Sequence, residues 1–416
     1  MYGMSFDPTS AEAIADAKEQ VVNYLVEDAV KNMKVKELGL DQLTDEEQAE
    51  LQEKIDAAWQ TNLDNIKATY FADTELTGDE LTAALEAKCE EVGILKENVV
   101  EGQTTTFTQD KLRESVIADV AVTDEELQAE YDSKVETAKT NYESNLSSYG
   151  TNVNNGMTVY YRPAGYRMVK QILIKFHEED QTLIDDINSK ISEQETAISS
   201  LTTSLTQMGV TNVDELVNQV EVTVTPATAD VATGTDVVAA FAEDTAEDVA
   251  DLVKQLAEAR ALEAAYQEHL TAATAAAFAN IDAETDDVVT QLAAGADWDT
   301  LMAEKTQDPG MQGDRETAKT GYAVCENFSS FDAAFTAAAM ALEKVGDVSP
   351  KTQGVYGYYI IQYTSDVAEG PVPLDDVRET LSSSLLTTKQ NTVYSDTLAK
   401  WVEEANAKID RKALDD

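Results

Sequence analysis

Apolar residues recur at three- and four-residue steps through most of this chain, and the spacing tightens clearly to that of a β-strand in two long runs. In the first 150 residues Ile14, Val21, Val22 and Leu25, then Leu51, Ile55, Trp59, Leu63 and Ile66, fall on one face of a 3.6-residue period. Thr44-Asp45-Glu46-Glu47 and Thr123-Asp124-Glu125-Glu126 have the form of a capping box, in which hydroxyl and carboxylate satisfy each other's orphan N–H groups. The second opens a stripe of Leu127, Tyr131, Val135, Ala138, Tyr142 and Leu146. The two exceptions are the alternating, β-branched run from Arg167 to Phe176 and the run Gly357-Tyr358-Tyr359-Ile360-Ile361-Gln362-Tyr363, which follows a turn. Such a chain must be mostly helical around a small sheet, an α+β fold.

The change of period after the turn-rich stretch Tyr149–Gly156 places a domain boundary near residue 160, with residues 1–160 forming a helical domain. Beyond the first strand, Ile184, Ile187, Ile191, Ile198, Leu201, Leu205 and Met208 occupy a and d positions of a heptad frame. A β-leaning stretch from Val220 to Thr235 with Pro226 and Gly234 follows, then an Ala-rich helical pattern from about Asp244 to Asn280. Residues 178–285 therefore read as a coiled-coil hairpin inserted in a second domain of residues 161–367. Compact order resumes at Asp286, with helices marked by Val288, Val289 and Leu292, by Trp298 and Leu301, and by Phe331, Phe335 and Met340. Residues 368–416 form a last helix with Val377, Leu381, Leu385, Leu398, Trp401 and Val402 as its apolar face, and the N-terminal helices are its available partner.

The chain carries 79 acidic against 30 basic residues in 416, a formal charge of −49. Phosphate-rich or anionic-lipid partners need clustered cations, so nucleic acid and membrane-surface binding are excluded. No run approaches the roughly 18 apolar residues of a membrane span. The start, Met-Tyr-Gly-Met-Ser-Phe-Asp, lacks the basic and apolar regions of a signal peptide, so the protein is cytosolic or its export signal has been removed. Residues 178–285 hold 22 acidic and 3 basic side chains, a solvated face or a surface for cationic partners. Cys89 continues the stripe of Leu81, Leu85 and Val92 and reads as a small buried hydrophobe, and a disulfide to Cys325 stays open. Two isolated histidines, His177 and His269, make no zinc site. No calcium loop or phosphate loop is present, and no cofactor is expected.

Six short segments in order carry a resemblance. Val169-Lys170-Gln171-Ile172-Leu173-Ile174, then Gly295 with Trp298 and Leu301, then Thr306-Gln307-Asp308-Pro309-Gly310, Phe335 with Met340, Gly346-Asp347-Val348-Ser349, and Gly357-Tyr358-Tyr359-Ile360-Ile361 resemble the parvulin family of peptidyl-prolyl isomerases. The helical flanks resemble the SurA and PrsA type of exported foldase, in which a helical chaperone module surrounds the parvulin domain. The resemblance covers the chain apart from the arm. It implies that Phe331, Phe335 and Met340 cup a proline ring, with Thr320 and Tyr322 beside it, and that Asp308 stands where parvulins carry Asp or Cys. Where parvulins place histidines in the first and last strands, this chain has Gln171 and Tyr359, and Lys319-Thr320-Gly321-Tyr322 is all that remains of a G-G-D-L-G-W segment. Gln171 and Tyr359 each have donor and acceptor capacity and are expected to form a hydrogen-bonded pair.

The chemistry required is rotation about an X-Pro bond, against a barrier of roughly 18–20 kcal/mol. A pocket accelerates it by binding the twisted amide better than the planar one, with no nucleophile or metal. Three functions are consistent with the sequence. One is an extracytoplasmic folding chaperone of parvulin architecture with a degraded isomerase site, its clients unfolded or proline-containing exported polypeptides. Another is an active isomerase in which Gln171 and Tyr359 replace the histidines. The third is a surface interaction protein that engages a partner through the arm. For the first two, the resemblance implies an exported protein with a lipid anchor upstream of Met1.

Overall fold

The computed structural model describes residues 10–225, 234–242 and 245–408. The chain start, Pro226 and Asp244 named above lie outside the described residues. In chain order the elements are α1 (Ala11–Glu37), α2 (Asp45–Tyr70), α3 (Gly78–Glu91), α4 (Lys96–Ile117), α5 (Asp124–Ser144), α6 (Ser147–Asn154), β1 (Tyr161–Arg162) and β2 (Arg167–Lys175). Next come α7 (Glu178–Gln207), α8 (Val213–Val217), β3 (Val220–Thr225), β4 (Gly234–Ala239), α9 (Glu247–Ala293), α10 (Trp298–Lys305), a 3₁₀ turn at Pro309–Met311 and α11 (Glu316–Thr320). The chain ends with β5 (Tyr322–Val324), α12 (Ala333–Ala341), β6 (Thr352–Gly354), β7 (Gly357–Asp366), β8 (Gly370–Pro371) and α13 (Leu374–Ala405). By compactness the chain divides into one unit of residues up to 131 with those from 378, and a second of residues 132–377. The division falls within α5, ahead of the change of period near residue 160.

In the first unit the stripe Leu51, Ile55, Trp59, Leu63 and Ile66 is buried throughout α2. Its first half packs on Phe107 of α4 and its second half on Leu85 and Cys89 of α3. Both capping boxes form, and each has a second use. Thr44 N donates to Glu47 at 2.8 Å and Thr123 N to Glu126 at 2.9 Å. The same carboxylates receive Lys111 of α4 and Lys389 of α13, each at 2.6 Å. A single glutamate thus satisfies a helix start and ties a neighbouring helix to it. Trp401 of α13 lies under Lys34 of α1 at 5.5 Å.

The expected stripe on α1 is corrected. Val22 is buried, but Ile14, Val21 and Leu25 are 36%, 51% and 54% exposed. Gln109 of α4 donates to Asp28 at 2.7 Å and Asn32 at 2.9 Å. Asp28 and Asn32 stand seven residues after Val21 and Leu25, on the same side of α1, so the stripe meets α4 through polar side chains and its apolar first part stays in solvent.

The second unit is built on a four-stranded antiparallel sheet of order β5-β2-β7-β6. β2 and β7 pair along their whole length, with Gln171 opposite Ile361 and Leu173 opposite Tyr359. Successive side chains alternate between faces. Ile172, Ile174, Tyr358 and Ile360 join Phe278, Ile281 and Val288 of α9 with Trp298 and Leu301 of α10 in one core. Val169, Leu173, Tyr359 and Ile361 join Tyr149, Tyr166, Phe328 and Phe335 in the other.

The arm is a helical hairpin. Ile184 packs near Phe278, Ile187 and Ile191 near Tyr266, and Leu205 near Val253 and Leu256, so α7 and α9 run antiparallel. The expected β-leaning stretch is the β3–β4 ribbon, which covers the far end of α9. Met208, the last heptad residue, is exposed at 44%. No break occurs at residue 285, because α9 is one helix of 47 residues without an interior Gly or Pro to end it. Its first limb is arm and its last turns are domain core. Both cysteines are free and buried. His177 is exposed and His269 half-buried.

Ile187, fully buried between the arm helices, should be a sensitive probe of this packing. Ile187→Ala is expected to cost about 2–5 kcal/mol by transfer and cavity terms, read as a lower urea midpoint. Exposed Met208→Ala should leave the midpoint within about 0.5 kcal/mol.

Candidate functional site

β5 is short and leaves the edge of β2 unpaired beyond Val169. The loop after α10 fills that edge. Gln307 N donates to Leu173 O at 2.8 Å, and Lys175 N donates to Gln307 Oε1 at 2.5 Å. Thr306 Oγ1 accepts from Leu173 N at 3.2 Å and Asp308 N at 3.3 Å. The loop is thereby laced to the strand, and Asp308 is delivered to Gln171.

Asp308 is 8% and Gln171 7% exposed. Gln171 Nε2 donates to Asp308 Oδ2 at 2.6 Å. Gly310 N donates to Oδ1 at 2.8 Å, closing the 3₁₀ turn that Pro309 starts. Tyr322 OH donates to the same carboxylate, 3.0 Å from Oδ2 and 3.2 Å from Oδ1. Burial and the Asp308 charge raise the Tyr322 hydroxyl far above its ordinary range, so it stays a donor. Gly310 is required for this contact, since a Cβ there would lie 1.8 Å from Tyr322 OH. Gln171 Oε1 is buried without a partner.

Tyr359 lies on the same sheet face as Gln171 but does not bond to it. Its hydroxyl donates to Asp332 Oδ2 at 3.1 Å, which corrects the expected Gln171–Tyr359 pair. Burial, then the Asp332 charge, raises this phenol too. Asp332 was not among the expected residues, although an Asp before an Ala-rich helix is an N-cap signal. It caps α12 by accepting from Ala334 N at 2.8 Å and also accepts from Val355 N at 2.7 Å. Gly354 is needed here, because a Cβ would lie 2.0 Å from the Tyr359 ring. Each expected polar residue therefore bonds to its own aspartate, the acceptor with spare capacity.

Phe331 precedes α12 rather than lying on it. Its ring is 4.9 Å from Tyr322, 5.0 Å from Phe328 and 5.3 Å from Phe335. Phe331 and Met340 line a groove of about 760 Å³, with Phe328, Thr336 and Ala337. Phe335 does not line it: at 3% exposure it is core, 5.6 Å from Tyr359. Thr320 is not brought to this groove either. It lines a separate hollow with Tyr149, Met157 and Met168, because α11 ends at Gly321, whose φ of 92° and close approach to Val169 turn the chain into β5. Cys325 is buried, which raises its thiol and keeps it protonated.

The Asp308–Tyr322 bond predicts a specific coupling. Gly310→Ala should destabilise by about 1–3 kcal/mol, by driving Tyr322 OH off a buried carboxylate. Tyr322→Phe removes the obstructed hydroxyl, so the double variant should lose less than the sum of the singles. Additive urea midpoints would contradict the geometry.

No family model matches the chain. Over 131 residues, 32% of its length, it is 28% identical to the foldase protein PrsA of Clostridium acetobutylicum, and the match spans only 38% of that protein. Among solved structures it is similar to PrsA from Bacillus subtilis, at 16% identity over 95% of this chain and 86% of that one, with a TM-score of 0.21. It is also similar to a SurA-like chaperone of Campylobacter jejuni, at 13% identity over 92% and 94% of the two chains, with a TM-score of 0.25. The order of motifs in the sequence and the curated relative point the same way: the chain is similar to the PrsA type of parvulin foldase.

Proposed function

We propose that this protein is an extracytoplasmic folding factor that holds unfolded, proline-containing segments of exported polypeptides and turns their prolyl bonds over only weakly. The observation that carries the reading is the contrast between the Phe331/Met340 groove and the polar groups behind it. The groove offers an apolar side of Phe328, Phe331 and Met340 opposite Glu326, Asn327 and Ser329, with room for a proline ring and its neighbours. Gln171 Nε2, Tyr322 OH and Tyr359 OH are instead spent on Asp308 and Asp332. Catalysis requires contacts that strengthen as the amide twists. Donors already bonded to buried carboxylates supply few of them, so holding outweighs turnover. In this reading Asp308, Gln171 and Tyr359 position the cup, and Phe331 with Met340 touches the client.

One observation favours an efficient isomerase instead. Gln171 Oε1 is a buried acceptor with no donor, an arrangement that costs about 1–3 kcal/mol unless something uses it. The export route and a lipid anchor upstream of Met1 rest on the resemblance to PrsA, as does a coiled-coil reading of the arm on its heptads. Among the described residues no helix is long and apolar enough to cross a membrane.

Ala337 is exposed on the groove-lining face of α12, so Ala337→Glu charges the groove without disturbing the core. The intact protein should slow aggregation of a denatured client, and Ala337→Glu should lose most of that effect. Isomerisation of a proline tetrapeptide should stay within about tenfold of the uncatalysed rate, which takes tens to hundreds of seconds. Acceleration of about a thousandfold, abolished by Asp308→Ala, would establish the efficient isomerase in its place.

A further inference from the structure

A second groove, of about 550 Å³, lies where the arm joins the sheet, on the other side of the α12 start from the first. Its floor is apolar. Phe176, Ile184 and Phe278 are each at most 8% exposed, and the Phe278 ring meets Phe176 edge-on and Tyr358 at a tilt, with centroids 4.8 Å apart in each case. Its rim is the two-residue turn between β6 and β7, where Val355 and Tyr356 are 59% and 56% exposed. Tight hairpin turns favour Asn, Asp and Gly. Two large apolar side chains held out at such a turn serve no packing need within the protein. Their backbone is fixed from beneath, since Phe176 N donates to Tyr356 O at 3.0 Å and Val355 N to Asp332.

The charge around this groove has one sign. Asp185 and Asp332 line it, with no Lys, Arg or His among the lining residues. An adjoining hollow of about 640 Å³ shares Leu270, Thr274 and Phe278 with it and adds Asp282. Lys351 beside it is divided between Asp282 and Asp286, at 2.6 Å from each, so these three side chains carry a net negative charge. A second copy of a chain of charge −49 is repelled from such a surface. A segment that offers a bulky apolar side chain beside Lys or Arg is attracted.

The place of this groove in the fold adds a third argument. Phe331 and Ala333 line the first groove, and the alternate residues Asp332 and Ala334 line the second. Asp332 also caps α12, the helix that carries Met340, and receives Tyr359. From these observations we infer that the groove at the base of the arm is a docking site for extended polypeptide segments in which aromatic or aliphatic residues adjoin Lys or Arg. This inference does not depend on the first groove taking proline.

The test is fluorescence anisotropy on the full chain with a labelled, proline-free peptide of interspersed Phe, Leu, Lys and Arg. Tyr356→Ser, Val355→Ser and Asp185→Lys alter exposed or rim side chains and should each weaken binding by about fivefold or more. The Asp185→Lys effect should shrink as salt rises. A matching peptide with Glu in place of Lys and Arg should bind at least about tenfold more weakly. Ala337→Glu, in the first groove, should leave the affinity unchanged. Equal affinity for the acidic peptide, or indifference to all three rim variants, would overturn the proposal. Loss with Ala337→Glu but not with Tyr356→Ser would overturn it as well, by placing the peptide in the first groove and leaving the holding function intact.

Discussion

Antiparallel pairing of β2 with β7 is the contact on which the second unit depends. It joins strands that lie on either side of the arm in sequence, so the whole insertion has to be accommodated as a loop closed by this one ladder. Closure entropy grows only logarithmically with loop length. A long insertion is therefore tolerable, provided that its own ends come together. α7 and α9 meet that condition by pairing antiparallel along their length, and α9 runs on into the core beneath the sheet. The register also sets the chemistry: it puts Gln171 and Tyr359 on one face, with Phe335 and Phe328 in the same apolar cluster.

Both polar clusters on that face follow one rule. A buried amide or phenol must find a partner, and an ionised carboxylate is the acceptor with most capacity. Gln171 and Tyr322 converge on Asp308, whereas Tyr359 converges with two backbone N–H groups on Asp332. Glycines at 310 and 354 leave room for the phenols to reach. Both strand residues are thus held by local hydrogen bonds, with Gln171 Oε1 as the unmatched atom on that face among the described residues.

Much of this architecture was legible in the sequence, for reasons that also explain what was not. The α2 stripe, the capping boxes and the heptads of α7 are local patterns whose period alone decides helix or strand. Periodicity identifies residues that share a face, however, and says nothing of what covers it. Ile14, Val21 and Leu25 share a face of α1 that stays in solvent, and farther along that same face the contacts to Gln109 come from Asp28 and Asn32, polar residues that an apolar period does not count. Thr320 and Tyr322 are two residues apart, yet with the turn at Gly321 between them Thr320 lines a separate hollow, whereas Tyr322 lines neither groove and reaches Asp308 and the Phe331 ring. Asp332 carried a visible capping signal, but its bond to Tyr359 depends on tertiary placement.

The high negative charge keeps an assembly of apolar grooves soluble. Under the inference drawn above it would also favour cationic segments where Asp185, Asp332 and Asp282 lie around an apolar floor. Amide hydrogen exchange on the full chain, with and without an unfolded proline-containing polypeptide, tests the central claim most directly. The account predicts slowed exchange across residues 328–341, around Phe331 and α12, when the polypeptide is present. Unchanged exchange there, with protection confined to the helical unit of α1–α4, would contradict it.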